Sequence, residues 1–84
     1  MKGIVRFISK NGVFAAVETA AGEYSVLEIT DSISLDIEDI ISGDLESLGG
    51  ETLRHETGEE FEVFIQDIHA SEQLARQFLF ENDT

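Results

Sequence analysis

The sequence predicts an all-β fold: a small barrel of five short strands followed by one short C-terminal helix. Three observations carry that expectation. Apolar residues alternate with period two along most of the chain, turn-forming dipeptides recur at short intervals, and the period changes only from Ser71 onward. Gly3 to Ile8 places Ile4, Arg6 and Ile8 on one side of a first strand, with Val5 and Phe7 on the other. Asn11-Gly12 supplies a turn that tolerates positive φ. Val13 to Thr19 resumes the alternation, with Val13, Ala15 and Val17 sharing a side. Ala21-Gly22 breaks the run, and Glu23 to Ile29 forms a third strand with Leu27 and Ile29 facing the core. Tight turns make these three strands a meander.

Next, Asp31 or Ser32 is placed to cap a short helical turn carrying Ile33 and Ile37 at i, i+4. Ile40 to Leu48 reads as the fourth strand, with Gly43 marking a bulge or barrel bend. Gly49-Gly50 reads as a turn, and Thr52 to His55 as the extension of a hairpin arm. Glu60 to Ile68 is the fifth strand, with Phe61, Val63 and Ile65 opposite Glu62, Phe64 and Gln66. In the tail, Ser71 is the expected N-cap, Leu74 and Phe78 fall at i, i+4 beside Leu79, and Glu72 and Arg76 form a favourable charge pair. Residues 1–69 thus form the barrel, 70–80 the helix packed on it, and 81–84 a frayed end. Leu74 and Phe78 are expected to cap an open end of the barrel; the alternative is a helix that docks onto a second copy or another protein.

Composition bounds the function. Eighty-four residues, 42% of them apolar, make one small domain with a single core. The absence of Cys excludes disulfides, zinc–thiolate centres and thiol catalysis. No apolar run approaches the ~20 residues of a membrane span. Arg6 and Lys10 interrupt the only apolar N-terminal stretch, so no secretory signal is expected and a cytoplasmic monomer is the plain reading. Charge is distributed unevenly. The first seventeen residues hold Lys2, Arg6 and Lys10 and no acid, whereas all eighteen Asp and Glu follow, against only Arg54 and Arg76. A net charge of −13 repels phosphate backbones and favours basic protein surfaces.

Five short strands with a helical turn between the third and fourth fit an OB-type barrel. The opening M-K-G-I-V-R-F-I resembles the first strand of bacterial cold-shock domains, M-K-G-x-V-K-[WF]-F. N-G-V-F-A-A-V then lies over the family's first RNA-binding motif, K-G-F-G-F-I, and S-V-L-E-I over its second, V-F-V-H-F. The resemblance covers about the first thirty residues. It implies an OB-like fold and a face for single-stranded nucleic acid made of Lys2, Arg6, Phe7, Lys10 and Phe14. Such faces work by stacking bases on exposed aromatics. Here Ala16, Val26 and Ile29 stand where the resemblance implies aromatic platforms, and Glu28 stands where the family has His. Three lost platforms, at ~1–3 kcal/mol each, remove roughly 3–9 kcal/mol, against ~12 kcal/mol for nanomolar binding. The expected function is therefore a small acidic, non-enzymatic binding module whose partner is a protein. Glu38, Asp39, Asp44, Glu46 and Glu62 are candidates for its acidic partner face, and a degenerate single-strand binder is the alternative.

No catalytic residue, metal or cofactor is expected. His55 and His69 stand near Glu56, Asp67 and Glu72 in sequence, but H-E-T-G-E is not H-E-x-x-H. Asp36, Glu38, Asp39 and Asp44 lack the spacing of a calcium loop. No G-x-S-x-G elbow occurs.

Overall fold

The computed structural model describes residues 1–82. Among these residues there are six strands and one helix: β1 (Lys2–Ile8), β2 (Phe14–Thr19), β3 (Tyr24–Ile29), β4 (Ile40–Ser42), β5 (Gly49–His55), β6 (Glu60–Ala70) and α1 (Glu72–Glu81). The strands close into a barrel in the order β1-β2-β3-β6-β5-β4, with β4 returning to β1. Every pairing is antiparallel. A closed ring can alternate direction throughout only with an even number of strands, so the sixth strand permits this arrangement. The expectation of five strands is corrected on this point, while the small all-β barrel with a C-terminal helix stands.

The extra strand arises because Ile40 to Leu48 does not run as one strand. β4 stops at Ser42, and Gly43 adopts φ 140°, a conformation closed to most side chains. A Cβ at Gly43 would also lie 2.7 Å from a methyl of the buried Leu53. The chain turns at Leu45-Glu46, and Gly49-Gly50 begins β5 instead of forming a turn, opposite Ile65 and Phe64. The helical turn expected after Thr30 is also absent. Glu38 donates its N–H to the Val5 carbonyl (2.6 Å), and Val5 donates to that of Asp39 (2.9 Å), so β1 satisfies this backbone as a turn leading into β4. Leu35 is accordingly buried and Ile33 packs on the core, whereas Ile37 is 52% exposed.

The inner core follows the strand alternation. Phe61, Val63 and Ile65 of β6 meet Leu27, Val17 and Val5 inside the barrel. β1 changes faces partway: two steps from Val5 to Phe7 face one step from Val17 to Ala16, a bulge centred on Arg6. Phe7 therefore points outward and Ile8 inward, unlike the strict alternation expected from sequence. Gly3 lets β1 lie close over its neighbours, because a Cβ there would fall 2.4 Å from Val17 and 2.8 Å from Leu45.

A second, smaller core lies outside the barrel. Ala16, Tyr24, Val26 and Ala70 on the outer face pack against Ala75 and Leu79 of α1, with Phe7, Phe14 and Phe78 at its edge. The helix thus covers the outer face of β2, β3 and the end of β6, with Phe7 of β1 at its edge, and does not cap a barrel end. Its buried stripe is Ala75 and Leu79; Leu74 is 58% exposed and Phe78 only half-buried. The small residues Ala16, Ala70 and Ala75 let helix and sheet approach closely. Ser71 is the N-cap as expected, its hydroxyl accepting from the Leu74 N–H (3.2 Å). Helical structure continues to Glu81 with Asn82 as C-cap, so the expected fraying does not begin at Glu81; residues 83–84 lie outside the described residues.

Candidate functional site

The structure brings Phe7 and Phe14 to one outer face and seats α1 on them. Phe14 meets Phe78 edge-on with ring centroids 5.5 Å apart. Phe7 stacks on Tyr24 at 6.0 Å, and the Arg76 guanidinium lies 4.9 Å from the Phe7 centroid. Glu72 reaches both Arg76 and the Tyr24 hydroxyl, each at 3.4 Å, tying the first helical turns to β3. Burial, aided by the charges of Glu18 and Glu72, raises the Tyr24 phenol above its ordinary pKa. Of the cations, Arg6 is engaged by Glu18 at 2.8 Å, and that hydrogen bond raises its pKa. Lys2 is exposed at the start of β1, and Lys10 is exposed in the β1–β2 turn.

The five acidic candidates do not share one face. β5 and β6 run antiparallel, pairing Arg54 with Glu60 and Gly49 with Ile65, so His55 and His69 lie toward opposite rims. Asp39 joins the His55 rim and Glu46 the His69 rim. Glu38 is exposed in the turn at φ 76°, Asp44 accepts from the Glu46 N–H, and Glu62 is exposed on the outer face of β6.

At the first rim, His55 Nδ1 lies 3.2 Å from the Thr57 backbone nitrogen and 2.9 Å from its hydroxyl, and Nε2 lies 2.8 Å from Asp39 Oδ2. Burial pushes the Asp39 carboxyl up, but the Asp36 N–H (2.8 Å) and His55 outweigh it and hold its pKa below the ordinary value. A depressed folded-state value means that the carboxylate stabilises the fold. That contribution is complete above the unfolded Asp value of about 3.9 and is lost as pH falls through the folded value. Asp39→Asn is expected to melt below the parent at pH 7, with the difference shrinking as pH drops from about 4 toward 2. Thermal melts across pH check this; a constant difference would remove Asp39 from the account.

At the second rim, His69 Nδ1 lies 2.8 Å from Glu23 Oε1 and 3.6 Å from Glu46 Oε2. The hydrogen bond to Glu23 raises the imidazole pKa against partial desolvation. These partners come from the β2–β3 and β4–β5 connections, not from Asp67 or Glu72, its neighbours in sequence. Three steps on β3, from Tyr24 to Leu27, face five on β6, from Ala70 to Ile65. β6 therefore carries two extra residues here, and His69 takes φ 54° within this distorted stretch. No short-range sequence signal marks that convergence.

A third feature lies on the outer face of β5 and β6. An open groove of about 620 Å³ is lined by Thr30, Gly50, Glu51, Thr52, Glu62, Val63 and Phe64. Phe64, 46% exposed, stands between Gly50 on β5 and Glu28 on β3, its direct neighbours across the sheet. Gly50 leaves the space beside the ring open. Gln66 donates to Glu28 at 2.8 Å. The Phe61–Phe64 alternation was legible in sequence, but the groove was not, because Gly49-Gly50 reads as a turn. Among the described residues no helix is long and apolar enough to cross a membrane.

Comparison with family models, curated proteins and solved structures finds no match to this chain.

Proposed function

We propose that this barrel is a non-enzymatic binding module for a basic protein segment, seated in the β5–β6 groove. The observation that carries this is the exposed Phe64 ring, beside side-chain-free Gly50, with Glu28 directly across on β3 and Glu62 two residues back on the same face of β6. A guanidinium stacked on such a ring gains cation–π attraction, and the surrounding carboxylates accept its N–H groups. The net charge of −13 adds long-range steering of a basic partner. The alternative use, single-stranded nucleic acid on Phe7 and Phe14, is less favoured because both rings already hold α1, and because Ala16 and Val26 form the seat of that helix.

Titration of a labelled arginine-rich peptide at low salt tests the proposal. Saturable binding is expected, weakening as salt rises toward physiological strength, where charges are screened beyond ~8 Å. Phe64→Ala should weaken it by about tenfold, within the ~0.5–2 kcal/mol of a cation–π contact. Absence of binding, indifference to Phe64→Ala, or tighter binding of single-stranded DNA or RNA than of the peptide would overturn the proposal.

A further inference from the structure

We propose that Glu23, Glu46 and His69 form a binding site for a divalent first-row transition-metal ion such as Zn²⁺. One imidazole nitrogen and two carboxylate oxygens, from three separate parts of the chain, all lie within 4.8 Å of one another. A set of one nitrogen and two oxygens suits zinc or its neighbours, which accept imidazole readily, whereas calcium and magnesium favour all-oxygen ligation. The three side chains are 42–50% exposed, which leaves the outer side of the site open to water as further ligands.

The backbone beneath each ligand is pinned. Glu23 precedes Tyr24, Glu46 follows Leu45 and His69 precedes Ala70, and all three of those neighbours are buried. The Leu45 carbonyl also accepts the buried Ser25 hydroxyl, and the Glu23 carbonyl accepts the Thr19 N–H. A site assembled on fixed backbone loses little freedom when it binds.

The opposite rim provides a contrast. Asp39, His55 and Glu56 are equally close together, but Asp39 accepts the Asp36 N–H, Glu56 accepts the Ile40 N–H and His55 Nδ1 lies 3.2 Å from the Thr57 backbone nitrogen. Those groups serve the fold. Among the described residues, the carboxylates of Glu23 and Glu46 meet only His69. An ion there would link the β2–β3 and β4–β5 connections to the root of α1.

Calorimetric titration of the full chain with ZnCl₂, paired with thermal melts, tests the site. One ion per chain and a raised melting temperature are expected, since a ligand bound only by the native state stabilises it. His69→Asn removes the imidazole while tolerating positive φ. It and Glu46→Gln should each weaken Zn²⁺ binding at least about tenfold, the lower end of what loss of an outer-shell partner costs. His55→Gln should leave binding unchanged. No binding up to millimolar Zn²⁺, undiminished binding by His69→Asn, or equal stabilisation by Mg²⁺ would overturn the proposal.

Discussion

Phe61→Ala is expected to remove about 3–5 kcal/mol of stability, the usual range for emptying a buried aromatic site. Phe61 is 1% exposed and is among the largest side chains inside the barrel. It sits opposite Leu53 and among residues drawn from several strands, so no single neighbour can collapse into the space. Native domains hold only about 5–15 kcal/mol in total, and one of this size lies near the bottom of that range. The variant should therefore be largely unfolded at modest denaturant concentration. Phe64→Ala, three residues along the same strand, is the matched control. Its ring points outward, and truncation should change stability by no more than about 0.5 kcal/mol while weakening the proposed peptide binding. Urea melts of the two variants measure the contrast. Similar losses would mean that β6 does not present these two rings to opposite faces.

That contrast was legible in the sequence because period two needs only local information. The β1–β2–β3 meander was legible for the same reason, with each turn marked by its own glycine. The failures have a common cause in tertiary pairing. Ile33 and Ile37 fit a helical spacing, but the Val5 N–H and C=O of β1 hydrogen-bond residues 38–39 and hold them in a turn leading into β4. Gly49-Gly50 has turn composition, yet β6 provides partners for both residues. Arg6 reads as one position in a regular strand, and only its register against β2 reveals the bulge that turns Phe7 outward. The same holds for the candidate sites. Phe7 and Phe14 are grouped only by the resemblance of the opening residues, because strict alternation puts Phe7 on the side of Val5. The meeting of Glu23, Glu46 and His69 depends on distortions of β6 that composition does not encode.

Leu79→Ala is the second large effect, expected to cost about 2–5 kcal/mol because the side chain is 5% exposed between α1 and the sheet. Helical spacing alone favours Leu74 and Phe78 as the buried stripe, whereas the structure buries Ala75 and Leu79. Leu74→Ala, at a position 58% exposed, should therefore leave stability almost unchanged, and alanine's helix propensity offsets part of any loss. The inner core makes no use of Leu79, so the damage should begin at the helix. A ten-residue helix is marginal by itself in water, and once its seat weakens it should release the outer face carrying Phe14, Ala16, Tyr24 and Val26. An apolar patch of that kind promotes self-association. Leu79→Ala should accordingly lose helical circular dichroism before strand signal on heating, bind an apolar dye, and sediment with a concentration-dependent mass. Equal melting of Leu74→Ala and Leu79→Ala would show that α1 docks through a different face, and loss of helix and barrel in one step would show that the two cores form a single cooperative unit.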